Sequence, residues 1–229
     1  MHKISIPIMA DEKVDKYAVL EALKKADADY IFLSVDMIPF GKEDRDKKLE
    51  PLKTLIPFFK EQGFNVGVWL LALWFVDLPA DLKEEYLMKN YKGELRSWST
   101  PLNSNKEISS GFICPTSEKA VNIMTNYIKS ITVLSPDIIL FDDDLDFGTH
   151  MGSIGCYCDR HLKLISERLG YEISREELSH EVSSGKPNKV REEWLSLMGE
   201  TLENYAKEIR KAVDSVNPEV RFGLCSVMS

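Results

Sequence analysis

Short apolar runs alternate along the whole chain with segments whose apolar residues recur at helical spacing. This alternation is typical of βα units and of a parallel sheet that is covered on both faces. The pattern predicts five strands, which cover residues 3–9, 30–35, 65–72, 138–141 and 221–227.

The segments between these strands predict helices from their spacing of apolar side chains. Gly63 and Gly170 stand where helix ends are expected, and residues 174–188 form a polar segment that we predict to be a mobile insertion. The apolar positions that define the four main helical faces are Tyr17, Leu20 and Leu23; Leu52, Leu55, Ile56 and Phe59; Val121, Met124, Ile128 and Ile131; and Val190, Trp194, Leu197, Tyr205, Ile209 and Val213.

The fold class that follows is α/β, of the (β/α)8 TIM-barrel type, with about five β/α units present. We expect residues 1–229 to form one domain, the N-terminal part of such a barrel, because the sequence stops on an apolar strand. The alternative is a complete five-stranded doubly wound sheet. The turn at residues 10–12 argues against it, because it lacks the glycines that would bind a phosphate or a dinucleotide.

Charge and composition narrow the possible partners. The formal net charge is −8 and no basic run occurs, so we expect no nucleic acid partner. No stretch reaches the ~18 apolar residues of a spanning helix, and the apolar N-terminal stretch is too short for a secretory signal. We therefore expect a cytoplasmic protein with reduced thiols and no membrane partner.

Acidic residues follow the fourth predicted strand directly, as Asp142, Asp143, Asp144 and Asp146. In barrels and in doubly wound sheets the active face lies at the carboxyl ends of the strands. Neighbouring carboxylates at such a place should raise the pKa of at least one of them and provide a proton donor. The alternative is that these aspartates cap the following turn or bind a cation.

Aromatic residues are frequent between residues 73 and 113, where we expect a long loop, and include Trp74 and Trp98. Loops of this length are often lids or binding loops. The aromatic rings could stack on sugars in a carbohydrate cleft, or they could form a small core of the loop itself.

Three cysteines and a histidine have the spacing of a metal site. Cys156 and Cys158 are one residue apart, His161 follows three residues later, and Cys114 precedes them in another loop. This Cys₃His set predicts a structural zinc ion, although a chance Cys-x-Cys and a histidine on a helix face remain the alternative. Cys225 is expected to be a small core residue.

The segment from Gly63 to Cys158 resembles the catalytic barrel of family 42 β-galactosidases and related clan A glycoside hydrolases. The resemblance rests on a strand like residues 65–72, a run like residues 86–96, a Cys-Pro segment such as Cys114-Pro115, and a later Cys-x-Cys-Asp segment. This chain departs from the family pattern at two places. It has Asp143-Asp144 where the family has Asn-Glu, and it has His161 where the family has a further zinc-binding cysteine.

The resemblance implies a retaining, β-galactosidase-like hydrolase that cleaves O-glycosidic bonds with two carboxylates. Asp144 would be the acid/base residue, with Asp143 as the alternative, and the nucleophile would lie on a later strand beyond Ser229, so this chain alone would be inactive. The residues that would contact an oligosaccharide are Asp142, Asp146, Trp69, Trp74 and Trp98.

Two other functions stay open. The chain could be a noncatalytic carbohydrate-binding or structural barrel domain, or a metal-dependent hydrolase that uses the aspartates with Mg²⁺ or Ca²⁺. An incomplete barrel would expose strand edges, so a homo-oligomer is also expected.

Overall fold

A computed structural model describes residues 4–96, 110–147 and 154–225. The strands are β1 (Ser5–Met9), β2 (Tyr30–Pro39), β3 (Asn65–Val76), β4 (Ser110–Phe112), β5 (Ile138–Phe141) and β6 (Arg221–Leu224). The α-helices are α1 (Lys16–Lys25), α2 (Lys42–Glu61), α3 (Lys83–Tyr86), α4 (Glu118–Val133), α5 (Asp159–Leu169), α6 (Arg175–Ser183) and α7 (Lys189–Asp214), and a 3-10 turn covers Ala80–Leu82.

The sheet has its strands in the order β1-β2-β3-β5-β6, and β4 pairs with β3 beside this path. The pairs β1–β2, β3–β5 and β5–β6 are parallel, whereas β4 is antiparallel to β3. A doubly wound sheet reverses its strand order at a switch point, while a barrel adds its strands in sequence. The sequential order confirms the predicted barrel-type α/β fold and excludes the doubly wound alternative for the described residues.

Two compact units divide the chain. The sheet unit comprises the described residues of 1–72, 123–145 and 209–229, and the cluster unit comprises those of 73–122 and 146–208. The sheet unit contains the parallel strand pairs, while the cluster unit contains the antiparallel pairing of Trp74 with Phe112, together with α3, α5 and α6. The prediction of a single domain over residues 1–229 stays a prediction.

In the sheet unit, the side chains that alternate along each strand point to two faces of the sheet that are buried to different degrees. Ile31 and Leu33 on β2 and Val66 and Val68 on β3 are fully buried, as alternate residues of a strand covered on one face should be. Helix α2 packs on β2 and buries Leu52, Leu55, Ile56 and Phe59. The other face is less covered, and Phe32, Trp69 and Leu140 on it are half-buried.

Several predicted bounds change. β2 and β3 are longer than expected, so Trp74 and Phe75 belong to a strand and not to the start of a loop. The segment predicted as a mobile insertion contains α6, whose first turn has a capping box between Ser174 and Glu177.

Tyr17, which was predicted to lie on the apolar face of the first helix, is exposed and packs edge-on against Phe58. Residue 3 and residues 226–227 of the predicted outer strands lie outside the described residues.

Candidate functional site

The carboxylates Asp142, Asp143 and Asp144 follow β5 at the carboxyl edge of the sheet unit. β5 lies between β3 and β6, so these residues stand next to the end of β6 and beside β3 just past Leu70. The Asp142 N–H donates to the Leu70 carbonyl at 3.0 Å, which extends the β3–β5 pairing by one residue. The run is therefore placed where barrel enzymes carry out their chemistry.

The aspartates have different environments. Asp144 is only 6% exposed, and its Oδ1 accepts the Ala72 N–H at 2.6 Å, so one oxygen is oriented by β3. The Asp142 carboxylate accepts the N–H of Asp143 at 2.8 Å, while the Asp143 side chain is exposed. Asp146 is half-buried and belongs to the cluster unit, where its charge acts on the Arg96 guanidinium. The bond of Asp142 lies within the following turn, which is the alternative that sequence reasoning left open, whereas the bond of Asp144 joins it to β3.

Cys225 follows β6 in the same unit, and its N–H donates to the Phe141 carbonyl at 2.7 Å. Burial and the negative charges of Asp142 and Asp143 raise the pKa of its thiol, which therefore stays protonated at neutral pH. Cys225 is half-exposed, so the expectation of a core residue is wrong.

The three predicted stacking tryptophans have different positions. Trp74 is 4% exposed, and its ring meets that of Phe112 edge-on at 4.8 Å, so its faces are covered within the cluster unit. Trp69 is half-buried on β3, and its indole Nε1 is buried with no hydrogen-bond partner among the described residues. Trp98 lies outside the described residues. Of the two tryptophans that the structure describes, Trp69 is therefore the one whose side chain is partly accessible to solvent.

The cluster unit brings together all four predicted metal ligands. The Cys114 Sγ lies 3.7 Å from the Sγ atoms of both Cys156 and Cys158. The His161 Nδ1 lies 3.6 Å from the Cys114 Sγ and 3.3 Å from the Cys158 Sγ. The four donor atoms lie within 4.8 Å of one another, and all four residues are buried.

Local backbone structure explains why these residues meet. Cys114 follows β4, and its N–H donates to the Tyr86 carbonyl at 2.7 Å. Cys158 is the N-cap of α5 and His161 lies in its first turn, so their side chains share one end of that helix. The loop with Cys156 is held by the Tyr157 N–H, which donates to the Lys89 carbonyl at 2.8 Å.

An outer layer of polar groups surrounds the cluster. The Thr116 hydroxyl lies 3.0 Å from the Cys114 Sγ and accepts the Arg160 Nε–H at 3.1 Å. Because that hydroxyl already accepts from Arg160, its own proton is available to the sulfur. The His161 Nε2 lies 3.4 Å from the Thr201 hydroxyl on α7.

Trp194 covers the cluster loop. Its indole N–H donates to the Ile154 carbonyl at 2.8 Å, and its ring packs against Tyr157 with centroids 4.9 Å apart. It also meets the His161 ring at 6.2 Å, while Phe147 meets the same imidazole at 5.6 Å. The aromatic contacts restrict rotation of the histidine ring.

Electrostatics within the cluster favour a thiolate at Cys114. Burial by itself would raise the pKa of Cys114, but hydrogen bonds with Cys156, Cys158 and His161 outweigh it and lower that pKa well below its usual value. Burial lowers the pKa of His161, yet its bonds to the Cys114 and Cys158 sulfurs raise it to about 9. For Cys156, burial raises the pKa. Two cations, the buried Arg96 and the half-buried Arg160, supply positive charge nearby.

Sequence reasoning missed the outer-layer residues Thr116, Arg160, Thr201 and Trp194. Trp194 and Thr201 are each 40 residues from their partners, and Thr116 and Arg160, although they lie beside the cysteines in sequence, are 44 residues from each other. Spacing alone could not reveal these contacts. The one available signal is Gly155 beside Cys156, since a glycine in a ligand loop indicates either a special backbone angle or a close neighbour.

Two solved structures show the class of fold. The catalytic domain of a β-amylase from Paenibacillus polymyxa is similar with a TM-score of 0.59 and 15% identity, over 96% of this chain and 65% of that one. The α-galactosidase from Lactobacillus brevis gives a TM-score of 0.51 and 9% identity, over 97% of this chain and 27% of that one. The chain thus has an α/β fold that matches barrel glycoside hydrolases, and it spans less than two thirds of either relative.

No protein-family model matches the chain, and no curated protein sequence matches it either. At identities this low, the structural likeness establishes the fold and leaves the activity to be argued from the residues. Among the helices of the described ranges, none has both the length and the apolar content needed to cross a bilayer.

Proposed function

We propose that the chain provides the acid/base side of a glycoside hydrolase barrel that acts on an oligosaccharide at the carboxyl edge of the sheet unit. The observation that carries this proposal is the run Asp142 to Asp144 at the end of β5, which lies between the parallel strands β3 and β6. Barrel enzymes hold their catalytic side chains at strand ends of this kind. The fold likeness to an α-galactosidase and a β-amylase agrees with a sugar substrate.

The different environments of the carboxylates suggest different roles. Asp143 is exposed and can approach a glycosidic oxygen, while Asp144 is held by the Ala72 N–H in one orientation at the edge of the site. A retaining mechanism needs an acid/base carboxyl group and a nucleophilic carboxylate about 5 Å apart. The resemblance to family 42 assigns the acid/base role to Asp144, with Asp143 next to it, and places the nucleophile on a later strand.

The test is hydrolysis of phenyl glycosides by the chain, with and without azide. Azide serves as an external nucleophile, so product release does not depend on where the second carboxylate lies. Phenol is a poor leaving group and needs an acid, so we expect azide-dependent turnover in the parent and a loss of about 10²-fold or more in Asp143→Asn or Asp144→Asn.

Asp27→Asn is the matched control for these substitutions. Asp27 is an exposed aspartate before β2, at the amino edge of the parallel strands, and its φ of 52° suits asparagine equally well. Turnover unchanged by both Asp143→Asn and Asp144→Asn would contradict the assigned acid/base group. No turnover of any glycoside in the presence of azide would contradict the proposed hydrolase.

A noncatalytic carbohydrate-binding domain is the second candidate, and one observation favours it. Asp142 and Asp144 both accept backbone N–H groups, which is a structural use of a carboxylate. Binding of galactosides by calorimetry without any azide-dependent turnover would support this alternative. Binding that is insensitive to substitutions at Asp143 and Trp69 would place the sugar elsewhere.

The cluster unit, we further propose, holds a structural zinc ion through Cys114, Cys156, Cys158 and His161. Zn–S bonds of about 2.3 Å and Zn–N bonds of about 2.0 Å in a tetrahedron imply S···S edges of about 3.8 Å and S···N edges of about 3.5 Å. The S···S distances of 3.7 Å and the S···N distances of 3.6 and 3.3 Å agree with these edges. Three cysteines and a histidine are also the donor set that zinc prefers.

Four protein ligands leave no coordination position for water, so this ion would stabilise the fold and would not take part in hydrolysis. It would join the segment after β4 to the start of α5. Replacement by Co²⁺ tests the geometry: a tetrahedral thiolate site gives intense visible ligand-field bands and thiolate charge-transfer bands. Cobalt spectra with only the weak bands of an octahedral ion would contradict the proposed site.

A further inference from the structure

His161 is the one proposed ligand whose donor atom depends on a choice between two tautomers. Its side chain is fully buried, with Nδ1 directed toward the Cys114 and Cys158 sulfurs. A metal-bound imidazole is neutral and carries one proton, and only the nitrogen without that proton can bind the ion. The surroundings of Nε2 therefore decide whether Nδ1 is ready to bind.

Thr201 supplies those surroundings. Its Oγ1 lies 3.4 Å from the His161 Nε2 and 2.7 Å from the Leu197 carbonyl oxygen on the preceding turn of α7. A carbonyl oxygen only accepts, so the single hydroxyl proton of Thr201 points to Leu197. The side of the hydroxyl that faces His161 can then only accept, which requires the proton on Nε2 and leaves the Nδ1 lone pair toward the sulfurs.

We propose that Thr201 is a positioning residue that fixes His161 in the Nε2–H tautomer and so prepares Nδ1 as a metal ligand. This inference rests on the proposed zinc site and extends it to a residue 40 positions away from the last ligand. Metal-bound histidines usually donate their second N–H to such an outer partner, and loss of that partner weakens metal affinity by about 10- to 100-fold. Phe147 and Trp194 hold the ring plane, while Thr201 determines the protonated nitrogen.

The test compares zinc affinities by competition with a chromophoric chelator. Thr201→Val keeps the shape of the side chain but removes the acceptor, so we expect zinc to bind about 10- to 100-fold more weakly. Thr201→Ser keeps the hydroxyl and should restore affinity to within a few-fold of the parent.

Thr132→Val is the matched control. Thr132 is a fully buried helical threonine whose hydroxyl donates to the Ile128 carbonyl at 2.8 Å, in the same way as Thr201 donates to Leu197. Within the described ranges, its side chain has no hydrogen bond to any member of the cluster. The control should therefore lose a similar internal bond without a change in zinc affinity.

Nitrogen-15 NMR of the histidine side chains gives a direct second readout in the parent protein loaded with zinc. We expect a protonated Nε2 and a metal-bound Nδ1 for His161. The opposite assignment would overturn the inference even if Thr201→Val failed to fold, and so would Thr201→Val binding zinc as tightly as the parent. In either case the zinc site would stand. A parent protein that binds no zinc would overturn both.

Discussion

Gly155 allows Trp194 to close over the cluster loop, and Gly155→Ala tests this contact. The backbone of Gly155 has a φ of +104°, a value that residues with a side chain rarely adopt. A Cβ at this position would lie 2.6 Å from Cζ2 and 2.8 Å from Nε1 of Trp194. The indole would have to move, and its hydrogen bond to the Ile154 carbonyl at 2.8 Å would be lost or distorted.

The magnitude follows from these two contributions. A non-glycine residue in a sparsely populated backbone region costs about 1–3 kcal/mol. Loss of the indole hydrogen bond adds about 0.5–1.5 kcal/mol. We therefore expect Gly155→Ala to reduce the free energy of unfolding by roughly 1.5–4.5 kcal/mol in total.

Gly170→Ala is the control, because Gly170 also has a positive φ, of +78°, but a Cβ there would meet no atom within 4 Å. This substitution should lower the free energy of unfolding only by the backbone contribution, about 1–2 kcal/mol. Urea denaturation followed by tryptophan fluorescence and by circular dichroism measures both variants. Equal losses for Gly155→Ala and Gly170→Ala would refute the contact between Trp194 and Gly155.

Further predictions concern the two units separately. Gly67→Ala should destabilise the chain by about 1–3 kcal/mol in urea denaturation, because a Cβ would lie 2.3 Å from the Phe32 ring. Ser174→Ala should lower the free energy of unfolding by about 0.5–2 kcal/mol in urea denaturation, since it removes the capping box with Glu177. Burial raises the pKa of Tyr157 from 10.0 to about 12 and so favours its neutral form in the folded state. The resulting stability is complete below pH 10 and is lost as the pH rises through 12; an alkaline titration of stability that is equally steep in Tyr157→Phe would contradict this assignment.

The positions of the strands were predictable because apolar runs alternate with segments of helical spacing along the chain. The strand at Ile138–Phe141 has the predicted bounds, and Gly63 and Gly170 have the positive φ values that helix-ending glycines are expected to have. The end of β3 was not predictable, because the apolar run continues through Val76 and offers no polar residue that would mark a boundary. Trp74 was thus assigned to a loop and to sugar stacking, although it packs against Phe112.

The candidate metal site was also predictable only in part. The spacing of Cys156, Cys158 and His161 was enough to suggest that these three residues converge. Thr201 could not be found in this way, because its contact with His161 depends on how α7 packs. Helix α6 was missed for another reason: its polar composition resembles that of a loop, and the Ser174 capping box was not recognised.

Elemental analysis of the purified chain is the most direct test of the central claim that the four buried residues form a metal centre. The parent protein and a Cys156→Ser, Cys158→Ser double variant should be purified under the same reducing conditions without added chelator. We expect about one zinc ion per parent chain and none in the double variant, which should also unfold at a lower temperature. No zinc in the parent after incubation with the ion, or equal zinc in both proteins, would contradict the account.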